Sequence, residues 1–353
     1  MTGAVVLAAG LSSRMGAFKP LLPLGEGTLM ESTVRRLIEG GAERVVVVTG
    51  SRARDVERAL VGLPVRFAHN AAYEQTQMLD SAKIGLRALG DCEATLVLPA
   101  DIPMFHPETL DALQKAREHT GADAVRPGMG GAHGHPLLLS SKAAAAVLAY
   151  DGTGGLKGAL RLLRLETCAV DDPGCLLDAD TKEDYERLLA FRAGSAPTDG
   201  EIEALHRRFG STDAIRAHCR AVAEKALELA RVSACAGVDG RLLAAAALVH
   251  DAARTKPQHA ARIAQALLGL GYHRMAEITA AHMELPDALW GTVSETTLLY
   301  LADKLVIGDR KATLSERFSR AFSKCGPDPA ARAAIERRKR AAQSVLDRIG
   351  EVK

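Results

Sequence analysis

Ala4-Val5-Val6-Leu7-Ala8-Ala9-Gly10-Leu11-Ser12-Ser13-Arg14-Met15-Gly16-Ala17-Phe18-Lys19 decides how the first half of the chain is read. The run Ala4–Ala8 is short, continuous and apolar, which fits a strand buried on both faces. It passes directly into small residues and two cations. Gly10 and Gly16 let the backbone curl until its N–H groups face an anion, and Arg14 and Lys19 add charge for phosphoryl oxygens. Such a loop suits a triphosphate. It has neither the Gly-Lys-Ser/Thr of the Walker loop nor the Gly-x-Gly-x-x-Gly of the dinucleotide fingerprint, so the usual kinase and dehydrogenase readings lose their basis. An ordinary turn with solvated cations would explain a glycine with one cation, but not the full run.

Outward from this loop, Arg44–Thr49, Val65–Ala68, Thr95–Leu98, Ala122–Val125 and Pro136–Leu139 carry strand character. Thr28–Glu39, Arg52–Leu60, Asp80–Leu89, Pro107–Glu118 and Thr181–Phe191 carry helical periodicity. The alternation predicts an α/β domain over residues 1–193, a mostly parallel, doubly wound sheet with ligands at the carboxyl ends of its strands. Asp101 closes an apolar strand, where a carboxylate packs poorly but can hold Mg²⁺ against a triphosphate. Asp178 and Asp180 follow as a distant acidic pair. One of them is expected to bind the metal with Asp101, while the other is available to cap the helix that begins near Thr181.

From Leu7 through Leu21 the chain matches the Leu-Ala-Ala-Gly-x-Ser-x-Arg-Met-Gly-x-x-Lys-x-Leu signature that it resembles, that of the molybdenum cofactor nucleotidyltransferase family. Asn70, Ser81, Leu98-Pro99-Ala100-Asp101-Ile102-Pro103, Gly134-His135-Pro136 and Asp178-Ala179-Asp180-Thr181 with Asp184 follow in that family's order. The resemblance implies a nucleotide-diphospho-sugar-transferase-like fold and a nucleotide site made by Leu7, Ala8, Ala9, Gly10, Gly16, Lys19, Asn70, Ser81 and Asp101. It implies Arg14, Lys19 and Asp101 as catalytic groups, with Mg²⁺ as cofactor. Leu-Ala-Ala-Gly at Leu7–Gly10 favours CTP over GTP, since relatives that use GTP usually carry Leu-Ala-Gly-Gly. The implied acceptor is molybdopterin or a related phosphorylated molecule, and a molybdoenzyme maturation partner goes with it. Gln77 before Met78, Ala71 and Ile102 depart from the family's pattern, which leaves a sugar, alditol or phosphonate acceptor open.

Arg192-Ala193-Gly194-Ser195-Ala196-Pro197-Thr198-Asp199-Gly200 has no apolar period and reads as a linker. Beyond it, residues 199–353 are Ala- and Leu-rich without strand alternation, so an all-α domain is expected. Helices are predicted near Asp199–Phe209, Thr212–Arg231, Arg241–Arg254, Ala260–Leu268, Arg274–His282, Ser294–Ile307 and Ala330–Ile349, with Ser211 or Thr212 as a cap. His250-Asp251 ends one of these helices, with His218 upstream and His259, His282 and Asp303 downstream, most of them in apolar surroundings. Unpaired polar groups there would be costly, whereas imidazole and carboxylate on several helices can converge on Mn²⁺ or Fe²⁺.

This second set resembles the HD phosphohydrolase superfamily, and His259, His282 and Tyr300-Leu301-Ala302-Asp303-Lys304 resemble the members that split dinucleoside polyphosphates. The resemblance implies His250 and Asp251 as catalytic groups and all six side chains as metal ligands, with Arg254 and Lys256 near phosphate charge. A non-catalytic, nucleotide-sensing HD domain that regulates the transferase stays open. His69, His106, His119, His206 and His273 have no comparable setting and read as surface or ordinary core. Arg337-Arg338-Lys339-Arg340 reads as a solvated helix face.

Bulk properties agree with a two-domain enzyme. At 353 residues the chain exceeds one ordinary domain of roughly 100 to 200 residues. Hydrophobic residues make up 47% and charged residues 25%, and a net charge of +2 argues against nucleic acid or acidic membranes as general partners. The six cysteines form no Cys-x-x-Cys pair, which favours neither disulfides nor a thiolate zinc site. No basic leader precedes the first strand and no apolar run nears the roughly 20 residues of a membrane span, so a cytoplasmic protein is expected.

Overall fold

Strand Thr2–Ala8 alternates its side chains between two cores, as the two-residue strand period requires. Ala4, Val6 and Ala8 pack with Met30 and Val34 of helix Leu29–Glu39 and with Leu110 of helix Pro107–Thr120. Val5 packs on the other side with Leu79 and Leu86 of helix Met78–Leu89 and with Val147 of helix Ser141–Ala149. Helices therefore cover both faces of the sheet. The computed structural model describes residues 1–10, 16–232 and 237–351.

Among these residues the sheet runs Leu165–Ala169, Ala124–Met129, Leu137–Ser140, Ala94–Pro99, Thr2–Ala8, Arg44–Thr49, Val65–His69, with Ala132–His133 paired to Ala124–Met129. Thr2–Ala8 is parallel to both neighbours, Ala4 lying opposite Val45 and Leu96. The sheet is mostly parallel. Leu137–Ser140 alone of the seven in that order runs antiparallel to both of its neighbours.

Several elements escape the apolar pattern. Leu165–Ala169 has no fully buried residue, so its edge position leaves no alternation to detect. Pro127 and Gly128 lie inside strand Ala124–Met129 although both disfavour strands, which hides from the sequence that the strand reaches further than Val125. Helices Ser141–Ala149 and Gly155–Arg161 are built largely of small residues with weak periodicity. Gly85 brings helix Met78–Leu89 close to the sheet, since a Cβ there would lie 2.2 Å from Val5 Cγ1.

The chain divides into two compact units, Met1–Ala190 and Phe191–Lys353. This differs from the expected division at 193 and 199. Arg192, read as linker, is 4% exposed within the second unit. Its guanidinium lies 4.4 Å from the centre of the Tyr272 ring and donates to Leu270 O at 2.8 Å and Glu201 Oε1 at 2.9 Å. Helix Lys182–Gly194 runs through the division, and Thr198 caps the next helix in a reciprocal pair with Glu201. Small and Gly/Pro composition signalled a loop, but long-range partners of Arg192 decided where the second core begins.

That second unit is helical, with a short hairpin of Val306–Ile307 and Arg310–Lys311. Val222, Leu242, Leu267, Tyr272, Leu298 and Val345 share one core. Helix Leu314–Cys325 was not anticipated. The helix expected over Arg241–Arg254 ends at Val249, with His250 as its C-cap, and residues 250–256 form turns. His250 Nδ1 donates to Ala247 O at 2.7 Å and so ties the ring to the helix end. Thr212, not Ser211, caps helix Asp213–Val232, because its hydroxyl accepts from Ile215 N. No helix among the described residues is long and apolar enough to cross a membrane.

Candidate active sites

At the carboxyl ends of strands Thr2–Ala8 and Ala94–Pro99 lies a cavity of about 470 Å³. Leu7, Ala8, Ala9, Gly10, Lys19, Ser81, Asp101, Asp178 and Asp180 all line it. Lys19 Nζ sits 2.5 Å from Asp180 Oδ1 and 3.6 Å from Asp101 Oδ2, joining acids 79 positions apart in the chain. Burial pushes the Asp101 carboxyl above its usual range, with Lys19 pulling it back only in part. Burial, then Asp180 and Asp101, push Asp178 up as well.

Neither Asp178 nor Asp180 caps the following helix. Thr181 and Asp184 do so reciprocally, the Asp184 carboxylate accepting from Thr181 N at 2.9 Å and Thr181 Oγ1 from Asp184 N at 3.1 Å. Both earlier acids are thereby left for the cavity, and Asp184 is assigned to the helix end. Asn70 stands behind the wall: it is 2% exposed, and its Nδ2 donates to Thr76 Oγ1 at 2.8 Å and Ser81 Oγ at 3.1 Å. Gly16 has φ +65°, a conformation that suits glycine. Arg14 lies outside the described residues.

Tyr73, Thr76, Gln77, Met78 and His135 also face the cavity. Gln77 is the N-cap of helix Met78–Leu89, and its N–H donates to the Asp80 carboxylate at 2.8 Å, so the departure from the family pattern falls at a helix start. Gly134 lets the chain pass close to Cys175, since a Cβ at 134 would lie 2.3 Å from Cys175 O. Burial lowers the basicity of His135, and its Nδ1 has no hydrogen-bond partner among the described residues.

In the helical unit, His218, His250, Asp251 and Asp303 gather ligand atoms within 4.8 Å of one another, and Asp251, His259 and His282 do the same. Asp251 belongs to both groups. Its Oδ1 lies 3.2 Å from His259 Nε2 and 3.5 Å from His282 Nε2, and its Oδ2 3.5 Å from His218 Nε2 and 3.7 Å from His250 Nε2. Asp303 Oδ1 lies 3.2 Å from His218 Nε2 and 3.8 Å from His250 Nε2. Nδ1 of His218, His250 and His282 approaches the carbonyls of Gly308, Ala247 and Thr279 at 2.6 to 2.7 Å. Those bonds turn each Nε2 inward.

The buried Nε2 atoms of His250, His259 and His282 carry no hydrogen-bond partner among the described residues. Uncompensated polar nitrogens in such a setting are costly, and a cation in reach of several of them removes the cost. Burial alone would raise the carboxyls of Asp251 and Asp303. The rings of His259 and His282 hold Asp251 well below the usual carboxylate range, and Lys304 and His218 do so for Asp303. Both carboxylates are therefore ionised and fit a divalent metal bound by mixed nitrogen and oxygen donors. Arg254 Nη1 lies 2.5 Å from Asp251 Oδ2, and Lys304 Nζ 2.7 Å from Asp303 Oδ2. His206, by contrast, is core: its Nε2 meets Leu248 O at 3.0 Å and its Nδ1 meets Ser211 Oγ at 2.8 Å.

Residues 4–168 match the family model described as MobA-like NTP transferase domain. Over 182 residues the chain is 28% identical to molybdenum cofactor cytidylyltransferase of Escherichia coli (strain K12), a span of 51% of this chain and 92% of that protein. It is 35% identical over 125 residues to the bifunctional protein GlmU of Staphylococcus carnosus (strain TM300), covering 35% of this chain and only 27% of that relative. A solved nucleotidyl transferase from Methanothermobacter thermautotroptrophicus aligns with TM-score 0.47 and 29% identity over 53% of this chain and 95% of its own. The N-terminal unit is thus similar to MobA-like NTP transferase domains and to molybdenum cofactor cytidylyltransferase. The family match ends at residue 168, before the helical unit begins.

Proposed function

We propose that the first unit transfers a cytidylyl group from CTP to the phosphate of molybdopterin or a related acceptor, and that the second hydrolyses a phosphoester or phosphoanhydride. The Lys19 ammonium between Asp101 and Asp180, at the strand ends, carries the first half of this reading. An acceptor phosphate oxygen bonds to the α-phosphorus while the bond to the β-phosphate oxygen breaks and pyrophosphate leaves. Charge is the main obstacle to that exchange. Asp101 with Asp178 or Asp180 would hold Mg²⁺, which would supply positive charge to phosphate oxygens. Lys19 turns from the aspartates to the triphosphate, Arg14 adds a second cation, and Ala9 and Gly10 leave room for the nucleotide. The Leu7-Ala8-Ala9-Gly10 run supports cytosine over guanine by resemblance.

The inward Nε2 atoms around Asp251 carry the second half. His218, His250, Asp251 and Asp303 would hold one divalent cation and Asp251, His259 and His282 another, a pair that supplies Lewis acidity and a nucleophile from water near neutral pH. Arg254 stands beside Asp251, placed to receive phosphate charge. Purified chain offered CTP or GTP with molybdopterin, sugar phosphates and alditol phosphates is expected to release pyrophosphate with CTP and molybdopterin. Release only with a sugar or alditol phosphate would replace the acceptor, and release only with GTP the nucleotide. With Mn²⁺, a panel of phosphoesters and dinucleoside polyphosphates is expected to yield hydrolysis that the transferase substrates do not require. A panel left intact by a Mn²⁺-loaded chain would instead support a sensing role.

A further inference from the structure

Resting on the two-cation reading of the helical unit, we infer that Lys304 is a positioning residue that sets the two ligand groups relative to one another. It is 5% exposed, and a buried ammonium must have its donors satisfied. Lys304 Nζ donates to Asp303 Oδ2 at 2.7 Å and to His282 O at 2.9 Å, and lies 4.6 Å from the centre of the Tyr300 ring. These three partners match the three N–H bonds of an ammonium.

Two consequences follow from those contacts. With Oδ2 held by Lys304 at 2.7 Å, and Arg317 Nη2 further off at 3.7 Å, Asp303 turns its Oδ1 toward His218 and His250 and would act as a ligand through one oxygen. With its carbonyl held by the same nitrogen, His282 keeps its place beside Asp251, while its Nδ1 is fixed separately by Thr279 O. Asp303 belongs to one group and His282 to the other. Lys304 therefore joins the groups by a route that does not pass through Asp251.

A simpler role, that of counter-ion to Asp303, makes the opposite prediction. Removing a cation near two dications relieves repulsion, so both would bind more tightly. Loss of positioning instead lets Asp303 swing to offer both oxygens and lets His282 drift, so the second cation binds more weakly. Outer-shell partners typically contribute about 10- to 100-fold in metal affinity, which sets the expected scale.

The test uses the full chain with Mn²⁺ alone, titrated by calorimetry and followed by electron paramagnetic resonance. The unmodified chain is expected to bind two Mn²⁺ with an exchange-coupled spectrum. Lys304→Met is expected to keep its circular dichroism and its pyrophosphate release, to bind the second Mn²⁺ roughly tenfold or more weakly, and to lose the coupled signal. Lys304→Arg, which keeps charge and donors, is expected to recover part of both. Unchanged or tighter binding of both ions in Lys304→Met overturns the positioning role. If Lys304→Met does not fold, Lys304→Gln decides, since it keeps an N–H donor without the charge: unchanged or weaker binding of the second Mn²⁺ sustains the positioning role, and tighter binding of both ions overturns it. An unmodified chain that binds fewer than two Mn²⁺ overturns the two-cation reading and the role of Lys304 with it.

Discussion

Around Lys19 the acidic groups meet through an ammonium, whereas around Asp251 they meet imidazole nitrogens, of which those of His250, His259 and His282 have no hydrogen-bond partner among the described residues. Asp178 and Asp180 are only partly buried, while His218, His250, Asp251 and Asp303 are all buried. The contrast matches what each ligand would bring. A metal–triphosphate brings its own oxygens and charge, so the protein supplies part of a shell and a cavity. A bare transition-metal ion brings only water, so the protein must supply most of the donors and hold them in advance. Burial pushes all four carboxyls up: it prevails at Asp101 and Asp178, but is overcome by the His259 and His282 rings at Asp251 and by Lys304 and His218 at Asp303.

The largest effect is expected from Asp251→Ala, which removes the side chain common to both ligand groups. Metal content by elemental analysis should fall further than the 10- to 100-fold in affinity that loss of an outer-shell partner costs, and hydrolysis should vanish. Pyrophosphate release should persist. Full metal occupancy in this variant would break the contrast between a preformed and a substrate-completed site.

Asp101→Ala should lower nucleotidyl transfer by about 100- to 1,000-fold, the scale of losing one charge-stabilising group, with a melting temperature close to that of the unmodified chain. Near-normal transfer with Mg²⁺ would remove Asp101 from the metal site. Lys19→Ala should depress transfer by a similar or somewhat smaller factor, because Arg14 retains part of the cationic charge. A variant altered only in thermal stability would show Lys19 to be a structural counter-ion.

Acid should separate the two sites. Asp101 and Asp178 have raised pKa values, so protons compete there at pH values where an ordinary carboxylate is already ionised. Mg²⁺-dependent transfer should thus weaken as pH falls toward the carboxylate range from above. In the helical unit the carboxylates stay ionised, and metal loss on acidification should track the histidines instead. Mn²⁺ titrations of the separate variants Asp101→Ala and Asp251→Ala between pH 5 and pH 8 isolate each limb; coincident profiles would erase the distinction.

The smallest effect is expected from Arg192→Ala, which removes the contact with the Tyr272 ring and the hydrogen bonds to Leu270 O and Glu201 Oε1 in the helical unit. A loss of about 1–3 kcal/mol is the scale for leaving such partners unsatisfied. It should appear in the unfolding of residues 191–353 and leave pyrophosphate release untouched. For the same reason a piece ending at residue 190 should be accompanied by a better-folded second piece than one ending at 195. Equal stability of both second pieces would restore the linker reading of Arg192.

Local chemistry is what made most of the first unit legible. Val5, Val46 and Val97 lie in short apolar runs, and Gly10, Lys19 and Asp101 follow strands at places where a packed core would not choose them. The edge strand Leu165–Ala169 was hidden because it buries nothing fully, and Pro127 and Gly128 disguised a strand end that pairing with neighbours supports. Gln77 looked like a departure at the acceptor site, but it stands at a helix start whose backbone N–H is held by Asp80, which only the folded structure reveals.

By itself the sequence determined the alternation of strands and helices and which six His and Asp side chains gather in the second half. These follow from residue type and short-range period, which need no knowledge of distant partners. Tertiary structure decided that Asp251 turns one oxygen to each ligand group and that Lys304 spans Asp303 and His282. It also decided that Thr181 and Asp184 close the helix after Asp180, and that Arg192 belongs to the second core. His218 and Asp303 are 85 positions apart and Arg192 and Leu270 are 78 apart, so helix packing over a common core, not the local order of residues, sets those distances.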